Sequence, residues 1–301
     1  MHMMTTCTEP RPFSPARRSL LVSMAALSLA PAMAWAQAED GLTLAFVPQE
    51  DPEKLLGDIR IITEWLSGEL GMSVRGFVTS DHAAAVEALR NGDADISFMG
   101  ALPYVLANEY AGATAILQEV YFGRPYYTAR VFVRRDNGIA ELADLRGKTI
   151  AFADPISESG YYYPLDLFAE VGLFQRGDDP GAFFDRVLFA GGYQQAIQAV
   201  ANGLVDAAGA SQYADMLLTP NQQLEVTWIA ESRPIPSHSV IARGDLAPDL
   251  REVFVAAMLR LNEPELRYLL QYVYGPDGYV VADLAAYEEV RTLARAYGLL
   301  R

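Results

Sequence analysis

Two stretches of the chain carry the same succession of apolar and polar positions. In AVEALRNGDADI (85–96) and AIQAVANGLVDA (196–207), Ala85/Ala196, Ala88/Ala199, Asn91/Asn202, Gly92/Gly203 and Asp95/Asp206 coincide at a single offset of 111. Each stretch reads as an amphipathic helix, stopped at Asn-Gly and followed by a strand. Glycine suits the stop because it takes the left-handed conformation without steric cost. The flanks repeat as well. GFVTSDH and VLFAGGY each read as a strand entering a turn, and SFMGALPYVL and AGASQYADML each as a strand end entering a helix. The pattern predicts two equivalent α/β lobes.

Two extended runs serve as connections. ARVFVRRD (129–136) is β-rich and leads into a turn, a short helix and a strand, NGIAELADLRGKTIAF. PIPSHSVIARGD (234–245) opens with two prolines that keep it from becoming helical. Read as the two crossover strands, they divide the chain into lobe 1, residues 37–128 plus 236–301, and lobe 2, residues 129–235. The tail, with DLREVFVAAMLRLN, ELRYLLQYV and LAAYEEVRTLARAYGLL, reads as mostly helical and is expected to pack on lobe 1.

In α/β lobes the loops at the C-terminal ends of strands hold the ligand. Four such loops open helices: Ser80-Asp81-His82, Gly100-Ala101, Ser157 to Gly160, and Gly191-Gly192-Tyr193. A helix N-terminus offers unpaired N–H groups and a partial positive charge, so four of them facing one cleft would make an oxyanion site. Serine and aspartate at these places also serve as ordinary caps. The two histidines outside the leader, His82 and His238, fall in a cleft loop and at the second crossover. Tyr126, Tyr127, Tyr161 to Tyr163, Tyr193 and Tyr213 gather in the same regions.

Charge and composition narrow the function. The chain has 301 residues and a net charge of −15, with Lys and Arg scattered, which argues against nucleic acid and anionic membrane surfaces. Arg17-Arg18 followed by SLLVSMAALSLAPAMAWA reads as a secretory signal peptide over residues 1–36, cleaved after Ala36. ARRSLLV also resembles a twin-arginine signal. Cleavage takes away three Arg, one Glu and Cys7, the only cysteine, leaving −17 and no thiol. No lipobox cysteine stands at the cleavage site and no later run is long enough to span a membrane. A soluble, monomeric periplasmic protein without cofactor is expected.

FVPQEDPEKLL, VTSDHAAAVEALRNGDADISFMGALPYVL, VFVRRDNGIAELADLRGKTIAFADPISESGYYYP, VLFAGGYQQAIQAVANGLVDAA and IPSHSVIARGDL together resemble, in order and spacing, the phosphonate/phosphite/phosphate-type periplasmic solute-binding proteins of ABC importers. The resemblance implies a type II-like two-lobe clamp that closes on a small anionic or zwitterionic ligand and docks on an inner-membrane permease. It also points to ligand contacts at His82, Tyr127, Ser157, Glu158, Ser159, Gly160, Tyr193, Tyr213 and His238. The contact positions depart from the family. Its hydroxyl loop usually reads Ser-Thr-Ser-Gly, against Ser157-Glu158-Ser159-Gly160 here. A Tyr is common where His82 stands and a His where Tyr193 stands. The acids that hold an amino group, near Tyr213 and at His238, are absent, while Tyr127 matches directly.

Glu158 therefore admits three readings: it faces away from the cleft, it pairs with a cationic arm of the ligand, or it joins His82, Tyr193 and His238 in ligating a ferric or similar ion. No close His spacing supports the metal. A nucleophile motif and a Walker loop are also absent, so an enzyme is not expected. A sensor subunit that presents the closed clamp to a membrane kinase would share the same sequence features.

Overall fold

The computed structural model describes residues 41–48 and 52–301; the leader lies outside them. The chain begins with β1 (Gly41–Phe46), α1 (Pro52–Leu70), β2 (Ser73–Val78), α2 (His82–Asn91), β3 (Ile96–Met99), α3 (Ala101–Ala111) and β4 (Thr114–Val120). Then come β5 (Tyr126–Tyr127), β6 (Ala129–Arg134), β7 (Thr149–Phe152), a π-helical turn at Glu158–Tyr162, α4 (Tyr163–Glu170), β8 (Arg186–Phe189), α5 (Tyr193–Ala201) and β9 (Ala207–Ser211). The remainder is α6 (Pro220–Glu225), β10 (Val226–Glu231), β11 (Ile235–Pro236), β12 (Ser239–Ala242), α7 (Pro248–Arg260), β13 (Gly278–Val281) and α8 (Glu288–Ala296).

The strands form two large sheets, ordered β13-β4-β12-β3-β1-β2 and β10-β6-β9-β7-β8. In each, the repeated unit supplies a parallel trio: β1 between β2 and β3, and β7 between β8 and β9. Period-two alternation fills both faces of each sheet. Leu44 and Phe46 pack with Ile59 of α1 and Phe254 of α7, while Ala45 faces Ala85 and Leu89 of α2. Ile150 and Phe152 pack with Leu165 and Phe168 of α4, while Ala151 faces Ile197 and Val200 of α5.

The repeat has a structural cause. The Asp95 carboxylate accepts the Thr43 N–H at 2.8 Å, and Asp206 accepts the Thr149 N–H at the same distance. Each aspartate thus ties the start of a β3-type strand to the strand beside it. Gly92 and Gly203 stand at φ 78° and 68°, as the expected helix stop requires. The copies diverge after β9. Where α3 follows β3, only a 3₁₀ turn at Ala214–Leu217 follows β9. Pro220, at the first turn of the next helix, and the Thr219 capping box then start α6.

The chain passes between the sheets through β5 and β11, which pair antiparallel with Tyr127 opposite Ile235. β6 lies wholly within the second sheet, so the first passage falls a few residues before the expected 129–136. The tail is less helical than its pattern suggests, because β13 adds an edge strand beside β4. It also touches more than the first sheet. Tyr104 of α3 packs edge-on against Tyr287 at 4.6 Å, and Tyr297 packs against Tyr162 of the π-helical turn at 5.2 Å.

Candidate functional site

All four expected loops open helices. Asp81 caps α2 by accepting the Ala84 N–H at 2.7 Å, which leaves His82 as the buried first residue. Gly100 precedes α3 without any side-chain cap, so the first N–H groups of α3 must find a partner elsewhere. Ser157 Oγ accepts the Gly160 N–H at 3.0 Å and starts the π-helical turn. Such turns are rare and concentrate at functional sites. Tyr193, equivalent to His82 in the repeat, is the buried first residue of α5.

The partner of α3 is Glu158. Its side chain is fully buried. Its carboxylate accepts the Ala101 N–H at 3.0 Å and the Leu102 N–H at 3.4 Å. The Tyr127 hydroxyl donates to the same carboxylate at 2.9 Å, and His238 Nε2 lies 3.7 Å away. A Cβ at position 100 would overlap the carboxylate, so Gly100 is needed for the approach. Hydroxyls extend the cluster. Ser159 Oγ lies 3.0 Å from the Tyr127 hydroxyl and 2.9 Å from the Tyr193 hydroxyl, which is itself 3.2 Å from Ser157 Oγ. A helix N-terminus, phenols and serines surround one negative charge, which is the donor set of an oxyanion site. Here the chain's own carboxylate fills it.

The electrostatics follow from burial. Burial and then the charge of Glu158 push Tyr127 and Tyr193 well above the ordinary phenol range, so both remain protonated donors. Burial pushes His238 down to about 4. It also lowers His82, against the opposing pull of Asp154 and Glu158. Both imidazoles are neutral at neutral pH.

These facts correct two readings of Glu158. It does not face away from the cleft, because the open end of α3 draws it inward. The metal reading is not favoured either. Among the described residues no group of three or more His, Cys, Asp or Glu side chains is placed to hold an ion. Of the remaining expected residues, His82, Tyr127, Ser157, Ser159, Gly160, Tyr193 and His238 come together around Glu158. Tyr213 does not enter this cluster. It stands half-buried on the wall of an adjoining cavity, its ring 5.4 Å from Tyr121 and 6.4 Å from Tyr127.

That cavity has a volume of about 350 Å³, within the range of small-molecule sites. Tyr127, Tyr193 and His238 form its boundary with the Glu158 cluster, and Tyr121, Phe122, Tyr274 and Glu119 line the rest. Among the described residues no lysine or arginine lines it. The expected site omitted Glu119, Tyr121, Phe122 and Tyr274. The one available signal was a glutamate within TAILQEV, a strand buried along five consecutive residues.

The family described as "ABC transporter, phosphonate, periplasmic substrate-binding protein" matches residues 44–287. A curated relative, the phosphate-import protein PhnD of Mycolicibacterium smegmatis, is 33% identical over 172 residues, 55% of this chain and 53% of that protein. The match thus spans about half of the relative's length. Among solved structures, a binding protein component of an ABC phosphonate transporter from Pseudomonas aeruginosa aligns with TM-score 0.75 and 22% identity, covering 84% of this chain and 85% of that one. PhnD1 of Prochlorococcus marinus in complex with methylphosphonate aligns with TM-score 0.76 and 16% identity, covering 86% and 99%. At these identities the structures bear on the fold. Among the described residues no helix is long and apolar enough to cross a membrane.

Proposed function

Because the chain belongs to the family of phosphonate periplasmic substrate-binding proteins of ABC transporters, we propose that it captures a small phosphonate- or phosphate-like oxyanion for an ABC importer. The observation that carries this reading is the convergence of donors on Glu158. The Ala101 and Leu102 N–H groups come from the first lobe, and the Tyr127 phenol comes from the passage between lobes. The ligand oxyanion takes the place of the Glu158 carboxylate at the start of α3. His82, Ser157, Ser159, Gly160, Tyr193 and His238 complete its surroundings.

The lobes are residues 37–128 plus 236–301 and residues 129–235, and the paired β5 and β11 form the hinge between them. The leader is removed after Ala36, and the monomeric protein, in the periplasm, delivers its ligand to an inner-membrane permease.

Calorimetry of the wild type and Glu158→Gln against inorganic phosphate and methylphosphonate tests the reading. In the wild type the ligand must displace a charged competitor from two backbone N–H groups. A hydrogen bond to a charged group contributes about 1.5–3 kcal/mol, so Glu158→Gln is expected to bind at least roughly 10-fold more tightly. Failure of both proteins to bind either anion would overturn the oxyanion reading.

A further inference from the structure

The cavity beside the Glu158 cluster has features that anion capture does not use. Glu119, on β4, is 1% exposed and lines the cavity. Neither of its carboxylate oxygens has a hydrogen-bond partner. Its neighbour Tyr121 donates its hydroxyl proton to the Tyr274 carbonyl oxygen at 3.1 Å and reaches the carboxylate only as a longer, weaker contact. A buried carboxylate in this state costs several kcal/mol when it is ionised, unless a positive charge meets it, and among the described residues no lysine or arginine lines the cavity.

The walls point to the same kind of guest. Tyr121, Phe122, Tyr127, Tyr193, Tyr213 and Tyr274 all line the cavity. Phe122 and Tyr274 have φ of 51° and 67°, the two left-handed non-glycine residues among those described. Strain of this kind gathers at ligand sites, and here it sets both rings at the cavity. Phe122 remains 68% exposed, held by its N–H donating to Asp277. A primary ammonium needs an acceptor for each of three protons; apart from Glu119, Asp277, His238, Ser211, Ser237 and the phenol oxygens, the walls are aromatic and apolar surface. An alkylated ammonium needs none and gains from aromatic faces.

We propose that this cavity binds an alkylated ammonium group, its charge against the Glu119 carboxylate and its methyl surface against the rings of Tyr121, Phe122, Tyr213 and Tyr274. The inference rests on reading the cavity as part of the ligand site of a solute-binding protein, and it makes the ligand a zwitterion rather than a plain oxyanion. Glu119 stands at neither of the positions, 213 and 238, where the family resemblance would look for acids. Burial pushes Glu119 up to about 8, with a contact from the Tyr121 hydroxyl pulling the other way. Tyr279 from β13, Tyr274 and Asp277 from the preceding loop, His238 before β12, and Tyr121, Tyr127, Tyr193 and Tyr213 are the other titratable groups around it or along the cavity. A cation that holds the carboxylate ionised therefore releases a proton at pH 7.

Calorimetry of the full chain with methylphosphonate, phosphocholine, phosphoethanolamine and choline tests this. Phosphocholine should bind the wild type at least roughly 10-fold more tightly than methylphosphonate. It should release a proton, read from heats in buffers of different ionisation enthalpy. Glu119→Gln should remove both effects. Glu119→Asp should restore part of them, and unfolding midpoints of both variants will show that they fold. Phosphocholine binding no tighter than methylphosphonate, or insensitive to Glu119→Gln, overturns the inference and leaves oxyanion capture standing. Choline binding that depends on Glu119, with no binding of methylphosphonate, supports the inference and overturns oxyanion capture. Tighter binding of phosphoethanolamine than of phosphocholine overturns the choice of an alkylated nitrogen.

Discussion

The Glu158 carboxylate accepts the Ala101 N–H at 3.0 Å across the space between the two sheets. It occupies the donors at the start of α3 to which the proposed oxyanion would bind. A residue of the second lobe thereby neutralises the open end of a first-lobe helix. On the function proposed above, the ligand-free protein would favour closure and the ligand would compete with part of the chain.

Removing the charge should open the empty protein. Glu158→Gln keeps the shape of the side chain but loses the charge-assisted bonds to α3, worth about 1.5–3 kcal/mol each. Small-angle scattering of the ligand-free protein should show a larger radius of gyration for Glu158→Gln than for the wild type. Equal radii would mean that Glu158 does not hold the lobes together.

Gly100→Ala attacks the same contact from the other side. The added methyl overlaps the carboxylate and forces it away from α3, while Glu158 keeps its charge. This variant should also expand in the absence of ligand. Its unfolding free energy should fall by about 1–3 kcal/mol, because a buried carboxylate loses its donors. Denaturant titration beside scattering checks both effects, and an unchanged compact protein would count against the latch.

The repeat and the two lobes were legible in the sequence because their causes are side chains and glycines. Asp95 and Asp206 tie equivalent strands, and Gly92 and Gly203 stop equivalent helices. The partner of Glu158 was not legible, because it is a pair of backbone N–H groups. Any sequence supplies these, and only Gly100 hinted that something approaches there. Glu119 was hidden for another reason. A strand buried on both faces has no polar side to mark an inward carboxylate as unusual. The loss of a helix after β9 depended on Pro220 and the Thr219 cap competing with the repeated pattern.

Opposite pH dependences should appear in stability. Burial pushes Glu119 up to about 8 from 4.5, so between those values the folded chain keeps a proton that the unfolded chain has lost. Its contribution to stability therefore falls as pH rises through that window. Burial pushes His238 down to about 4 from 6.5, so the unfolded chain takes up a proton first, and stability falls as pH drops from 6.5 toward 4. Each group changes stability by up to about 1.4 kcal/mol per pH unit within its window. Relative to the wild type, Glu119→Gln should gain thermal stability as pH rises from 5 to 8. His238→Gln should gain as pH falls from 7 to 5. Parallel stability curves for variant and wild type would show that these groups are not buried in the states described.

A last prediction concerns how the C-terminal segment is held. Asp166 of α4 is buried, and its carboxylate meets Arg176 at 2.5 Å, Arg233 at 3.3 Å and the Tyr297 hydroxyl at 3.2 Å. Arg233, on the return passage between the lobes, also pairs with Glu289 of α8 at 2.7 Å. One carboxylate thus gathers a helix of the second lobe, the returning chain and the residue that ends α8. Breaking a fully buried pair from one side costs about 3–5 kcal/mol, and both arginines keep some exposure, so Asp166→Ala should cost about 2–4 kcal/mol. Tyr297→Phe removes a single donor and should cost about 0.5–1.5 kcal/mol. Once Asp166 is gone the Tyr297 hydroxyl has lost its acceptor, so the double variant should lose less than the two single losses combined. A double-mutant cycle by denaturant unfolding measures that difference. Strict additivity would mean that Tyr297 is held by ring packing on Tyr162 and not by Asp166.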